Sequence, residues 1–513
     1  MASEIRSGFN KFIVAVSVKL AYNKVDAMKR LVRSVVFSSL LFLYAFFPLS
    51  LLAYVLVPGK QAKNVVLLVF SLIFYAWGEP VYVLLLMFMA LVAWFSALQI
   101  AHGSTEKRKL WLVLSCMVDI VLIGYFKYAG LICSVFGTVP EAVKSIALPI
   151  GISFYTFQLL TYVVDVYRAD AKAQKSYWNV LLYAALFHQC IAGPIVRYKT
   201  ICEDLFSDSP RQTEVAKGVS RFAAGLAKKV LLANPCGALA DSILLNAATL
   251  ADPTLFAENL DVLSNLPAMQ AWLGMIAYSL QIYLDFSAYS DMAIGMGNML
   301  GLRYLENFNY PYISRSVTEF WRRWHMSLGT FFRDYVYIPL GGSRCSFGRA
   351  MLNTLIVWLL TGLWHGASWN FVIWGLWYFI FLMIERLFLK KGLEKLPVLS
   401  NLYVLVVVII GWVIFRFTDL RLLIAVLGSM FCVNGNEFFD FGTQIIFQSN
   451  SIILAVSMFA CLPVMSRLQQ KLLAKESKLI YVLLYSLLPV VLLLLSTAAL
   501  VGDSYNPFLY FQF

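Results

Sequence analysis

No lysine, arginine, aspartate or glutamate occurs between Arg349 and Glu385. A bilayer core takes about 20 apolar residues per helix, so this stretch is too long for one crossing. It must bend, or enter the membrane and leave again. Near its middle stands LLTGLWHGASWNFVIWGLW (359–377), where Gly362 and Gly366 flank His365 at places a helix could break. Composition narrows the choice further. The 513 residues are 60% hydrophobic and 13% charged, with mean hydropathy +0.74. Soluble domains carry about 25% charged residues. A water-soluble surface is excluded, and the sequence predicts an all-α polytopic membrane protein.

The net charge of +13 does not point to nucleic acid. Lysine and arginine gather in short clusters between apolar runs, at Lys107–Lys109, Arg221 to Lys229, Arg322–Arg323, Lys390–Lys391 and Arg467 to Lys478. Basic loops of this kind stay cytoplasmic and meet anionic lipid there. These clusters are expected on the cytoplasmic side of the membrane. Eight scattered cysteines include no CxxC pair and read as buried reduced thiols. His102, His188, His325 and His365 show no ligand spacing, so no metal is expected.

Apolar runs at 35–57, 64–101, 110–136, 146–164, 177–196, 220–247, 268–301, 351–389, 401–416, 420–433, 450–466 and 479–501 predict roughly 11–13 membrane-embedded helices. The second run reads as two helices broken at Gly78–Pro80. Several runs carry charge, at Asp119, Lys127, Asp165, Asp285 and Asp291. Residues 1–34 hold too short an apolar stretch to span, and read as a basic amphipathic segment lying on the cytoplasmic face. Residues 35–513 form one transmembrane domain. No repeat is evident and no halves carry matched broken helices, which argues against an inverted-repeat transporter.

His365 has two readings. It is a general base inside the membrane, or a packing histidine bonded to a neighbour such as Thr361. Ser368 and Asn370 either orient it, hold a substrate carbonyl, or bond between helices. A second histidine lies in the least apolar stretch, Asn309 to Arg344. There Ser316 and Glu319 form an S-x-x-E capping box that should start a helix. On that helix Phe320, Trp324 and Leu328 would share one face, with Trp321, His325 and Phe332 on an adjoining one. Pro339 to Gly342 should end the segment in a turn. Arg322 and Arg323 could meet a donor's phosphates or lipid headgroups. Asp285 and Asp291, six residues apart, lie on different faces and suit structural pairing with arginines. GASWN lacks the second glycine of a nucleophile elbow. No nucleotide-binding loop or dinucleotide fingerprint occurs, so hydrolase, ATPase and redox readings fall away.

The segments FQLLTYVVDVYR (157–168), FHQCIAGPIVRY (187–198), YLDFSAYSDMAIG (283–295), FWRRWHMSLGTFFRDYVYIPLGG (320–342) and LTGLWHGASWNFVIWG (360–375) resemble the membrane-bound O-acyltransferase family. The bacterial alginate and peptidoglycan O-acetyltransferase subunits are the similar branch, also in FSSLLFLYAFFPLSLLAYVLVP (37–58) and the terminal FLYFQF. The resemblance implies a ring of helices around a thinned centre with a central tunnel. It makes His365 the intramembrane histidine and His325 the second one, where a cytoplasmic thioester meets an acceptor from the outer side. Trp364, Ser368, Asn370, Trp324, Arg322, Arg323 and Asp285 are the further tunnel candidates. His188 stands where relatives carry proline, which puts the local helix geometry in question. The expected activity is acetyl transfer from acetyl-CoA or another thioester donor, with no bound cofactor. The acceptor would be an exported polysaccharide such as alginate or peptidoglycan, reached through a periplasmic SGNH-type partner protein. Alternatives are D-alanyl transfer to teichoic acid and, in a different class, a lipid-linked sugar flippase.

Overall fold

The computed structural model describes residues 37–190, 193–207, 209, 211–393, 395–502 and 505–507. The expected amphipathic segment 1–34 and the terminal FLYFQF lie outside them. The described residues form helices joined by turns and irregular segments. Nine of these helices are long and apolar enough to cross a bilayer. They are Lys60–Gly78, Tyr82–His102, Thr105–Val135, Val215–Ala251, Phe347–His365, Trp369–Leu389, Pro397–Arg416, Phe441–Ala460 and Lys478–Gly502. Phe42–Leu56 and Leu420–Met430 are shorter apolar helices. The protein is an all-α, multi-pass membrane protein. As the sequence predicts, the 64–101 run breaks between Gly78 and Tyr82.

At the centre lies Ala268–Leu300, a helix of 33 residues that is buried along most of its length. At 1.5 Å per residue it extends about 50 Å, well beyond a hydrocarbon core. Burial among other helices, not lipid, lets it carry serines, glutamine and two aspartates. Its main partner is Val215–Ala227. There a Cβ added to Gly295 would stand 2.7 Å from Gly218 O, so glycine on both helices permits backbone contact. The aspartates take cations from the same chain segment. Asp291 pairs with Arg221 at 2.9 Å and Lys228 at 2.6 Å. Asp285 pairs with Lys229 at 2.9 Å, both side chains almost fully buried. The expected arginine partner for Asp285 is therefore a lysine, and that lysine also donates to Pro507 O.

The 177–196 run does not make one long helix. Helix Tyr177–Ala185 stops, and the chain continues through a buried irregular segment. Pro194 offers no N–H to extend a helix. Side chains satisfy the freed backbone instead. Ser71 Oγ accepts from Phe187 N at 3.1 Å, Ser327 Oγ accepts from Ile195 N at 3.0 Å, and the Tyr183 hydroxyl donates to Val196 O at 2.9 Å. His188 lies in this segment, buried, with Nδ1 2.5 Å from the Tyr304 hydroxyl. All eight cysteines are free, though only Cys190, Cys236 and Cys461 are buried and Cys432 is exposed.

Candidate active site

The long uncharged run folds as a helical hairpin. Phe347–His365 ends at His365, residues 366–368 turn, and Trp369–Leu389 returns. Gly366 is the break the sequence suggests, but Gly362 is not. It is helical, and a Cβ there would sit 2.2 Å from Phe371 O. Likewise a Cβ on Gly375 would meet Trp358 O at 2.5 Å. These two glycines let the hairpin arms touch backbone to backbone.

His365 is thus the last helical residue, carried on a tightly paired hairpin. Its ring packs edge to face against Trp364, Trp374 and Phe415, at centroid distances of 4.8, 5.1 and 5.1 Å. The residue keeps 8% exposure, so its imidazole is not fully sealed. The alternative of a packing histidine bonded to Thr361 is not what forms: that hydroxyl donates to Val357 O at 2.7 Å. Asn370 does not touch the histidine either. Its amide donates to Ile414 O at 3.0 Å and Phe415 O at 3.2 Å, two carbonyls in the last turn of Pro397–Arg416. It accepts from Ser368. Asn370 is therefore the interhelical bond among the readings for this pair, and it holds the Phe415 ring against His365.

The second histidine arrives differently from the helix expected. Ser316 Oγ accepts from Glu319 N at 2.9 Å, so the helix starts where the capping box places it. The Glu319 carboxylate takes Arg315 N at 2.9 Å and Arg323, leaving the box half closed. A residue 66 positions beyond Glu319 does more. The buried Glu385 carboxylate accepts from Val317 N at 2.5 Å and Thr318 N at 3.0 Å, binding the helix start to the hairpin.

The helix then ends at Arg323. Trp324 is extended, His325 adopts φ 45° and ψ 54°, and a second helix runs Met326–Phe332. The shared face expected for Phe320, Trp324 and Leu328 is thereby broken. The cause is the neighbouring segment, whose backbone competes for hydrogen bonds. Arg323 O accepts from Asn309 N at 2.9 Å, and Met326 N donates to Asn307 O at 2.9 Å. Asn307 Oδ1 accepts from Ser327 Oγ at 2.8 Å and from Ser327 N and His325 Nδ1, each at 3.2 Å. With Nδ1 as donor, the basic nitrogen of neutral His325 is Nε2, a tautomer assigned from this network. The predicted turn at Pro339–Gly342 is present, with φ 108° at Gly341 and 57° at Gly342.

The two histidines meet on Trp364. The His325 ring lies 5.7 Å from its indole and the His365 ring 4.8 Å. Phe154 and Phe157 close the indole's other side. Trp324 stacks on Phe320 and Trp412 away from this contact. Asp285 is committed to Lys229, Arg323 to Glu319 and Asn309 O, and Arg322 is exposed. The structure therefore brings together His365, His325 and Trp364, with Asn370 and Ser368 behind them, and sets the other candidates apart.

Beside Ser327 opens a cavity of about 220 Å³, lined by Arg197, Lys199, Arg333, Thr330 and Ser327 among others. Asp334 draws Arg197 and Arg333, both at 2.7 Å. Although burial alone would raise its carboxyl, those two guanidinium bonds hold it below the usual carboxylate range. Arg197 keeps a second buried nitrogen, Nη2, with no partner among the described residues.

The sequence reading missed Asn307, Glu385 and Lys127. Asn307 carries no signal in its own segment. Glu385 shows only as the charge that ends an apolar run. Lys127 was visible as an ionisable group inside such a run, which is signal enough to mark it.

Comparison with known proteins gives the family. The model of the membrane-bound O-acyltransferase family matches residues 67–427. "Probable alginate O-acetylase AlgI" of Pseudomonas aeruginosa is 40% identical over 409 residues, 77% of this chain and 75% of that protein. "Peptidoglycan O-acetyltransferase" of Helicobacter pylori is 32% identical over 440 residues, covering 78% and 80%. "Teichoic acid D-alanyltransferase" of Bacillus subtilis is 25% identical over 273 residues, covering 51% and 65%. The matched span contains His325, Trp364 and His365, and the chain belongs to the membrane-bound O-acyltransferase family.

Proposed function

We propose that this acyltransferase moves an acetyl group from a cytoplasmic thioester, acetyl-CoA in the first instance, towards an exported polysaccharide. The observation that carries this reading is the pair of histidines resting on one indole, with a basic-rimmed cavity beside Ser327. Relatives named as alginate and peptidoglycan O-acetylating enzymes, at higher identity than the D-alanyltransferases, favour acetate as cargo.

The basic ends of the helices gather on one side. Lys60 reaches Ser207 O at 2.8 Å, Arg108 reaches Tyr167 O at 2.8 Å, and Arg168 reaches Asp334 O at 3.2 Å beside the cavity. By the positive-inside rule that side faces the cytoplasm, the orientation expected of a protein of a bacterial inner membrane. A donor would come from there, along a central tunnel past Ser327 and His325. The acceptor would approach from the side of the 366–368 turn. His365 takes the acceptor hydroxyl's proton as its oxygen bonds the acyl carbon. The carbon–sulfur bond breaks, and the imidazolium returns the proton to the leaving thiolate. A periplasmic SGNH-type partner then passes the acyl group on: a polysaccharide hydroxyl bonds the acyl carbon, the first acyl–oxygen bond breaks, and the released oxygen takes up the polysaccharide hydroxyl's proton.

Cells lacking their own copy and supplied with this chain should gain ester-linked acetate on an exported glycan. Gain of ester-linked D-alanine instead would replace the cargo, and no acyl gain would end the reading. Replacing Arg197 by alanine should raise the KM for acetyl-CoA about tenfold or more, since a charge-assisted hydrogen bond contributes about 1.5–3 kcal/mol. Thiol release by inverted membrane vesicles measures it, and a wild-type KM would remove Arg197 from the donor's path.

A further inference from the structure

Lys127 sits deep in the crossing helix Thr105–Val135, on the π-helical turn Gly124–Tyr128. Its ammonium donates to Trp364 O, lies 3.3 Å from Ser153 Oγ and 3.4 Å from His365 O. Tyr128, the next residue, donates to Leu363 O at 2.6 Å. Two adjacent side chains of one helical bulge thus serve three successive carbonyls, 363 to 365, at the end of the histidine-bearing helix. Those carbonyls have no partner within their own helix.

The charge needs explaining separately. A lysine within a membrane span is costly to insert. Among the described residues no carboxylate lies within ion-pair distance of Lys127 to offset this. A neutral amide could satisfy two carbonyls without that penalty. What a cation adds is attraction to the negative end of the Phe347–His365 helix.

Resting on the acyl-transfer reading above, we infer that Lys127 is the positioning residue of the histidine centre. It ties down the helix end that carries His365 through Trp364 O and His365 O, and Tyr128 assists through Leu363 O. It touches neither the cavity nor the carbonyls that Asn370 holds, so it acts on turnover and not on donor binding. A misplacement of about 1 Å at a reacting group can lower a rate by about 100-fold.

The test uses full-length protein in inverted membrane vesicles at matched levels, with acetyl-CoA as the probe and thiol release as the readout. Lys127→Met keeps most of the stem and removes the charge and donors. Lys127→Gln keeps a donor without the charge, and Lys127→Arg keeps both. The expected result is a kcat about 10- to 100-fold lower for methionine, a partial loss for glutamine, an unchanged KM, and recovery of most of the rate by arginine. Wild-type turnover in Lys127→Met overturns the inference. So does a loss that arginine does not restore, or one that appears in KM. The same variants, read by ester-linked acyl groups on exported glycan in cells, decide the matter if the donor is some other thioester. A wild type silent in both assays overturns the acyl-transfer reading and this inference with it. An active wild type beside an active Lys127→Met overturns this inference alone.

Discussion

Replacing His365 by alanine is expected to lower acyl transfer by about 10²–10⁴-fold, the usual contribution of a general base, without lowering the amount of protein in the membrane. The two halves of that expectation rest on different contacts. Turnover is expected to depend on the imidazole, whose ring nitrogens no described residue engages by a hydrogen bond. Folding of the hairpin depends on other groups. Gly362 and Gly375 bring its arms together, Asn370 bonds Ile414 O and Phe415 O, and Lys127 and Tyr128 hold the helix end through main-chain carbonyls. None of these involves the side chain removed. His365→Gln, closer to histidine in volume, should fail equally in turnover. Ester-linked acetate on exported glycan, compared with immunoblotted membrane levels, separates the two effects. Full acetate with alanine at position 365 would mean that the proton is taken elsewhere.

Asp285→Ala should act on stability instead. The carboxylate and Lys229 are both nearly inaccessible, at 2% and 1% side-chain exposure, and stand 2.9 Å apart. Removing one partner leaves a charge in the middle of the bundle, which costs about 3–5 kcal/mol. The expected outcome is a lower melting temperature in detergent and less protein in the membrane. Adding Lys229→Met to Asp285→Ala should recover much of that loss, because a pair replaced by apolar groups is often close to neutral. Lys229 also donates to Pro507 O, so recovery should stop short of complete. If Asp285→Ala is as stable as wild type yet inactive, Asp285 belongs to the substrate path after all.

The membrane class and most of the helices were legible from sequence because their signal is local. Runs of apolar residues, the Gly78–Pro80 break and the Ser316 cap each need only a short window. His365 and His325 were legible as polar groups in segments with no evident use for them. What failed was non-local. The helix through His325 breaks because Asn307 and Asn309, some 16 to 18 residues earlier in the chain, compete for its backbone. Gly362 looked like a hinge until Phe371 came into contact with it. Asn370 looked like a partner for His365, yet its acceptors lie 44 and 45 residues on. Lys127 is 237 residues from the carbonyl it caps. Pairings across such separations leave no periodicity to read.

The central claim is that this chain passes an acyl group from a thioester to a glycan through His365. Inverted vesicles from cells expressing wild type or His365→Ala, at matched protein levels, can be given acetyl-CoA labelled in the acetyl group. The label is then followed into the alkali-labile ester fraction of the glycan. Label is expected in that fraction with wild type and only background with His365→Ala. Equal labelling by both, or thiol release by wild type with no label reaching glycan, would contradict it.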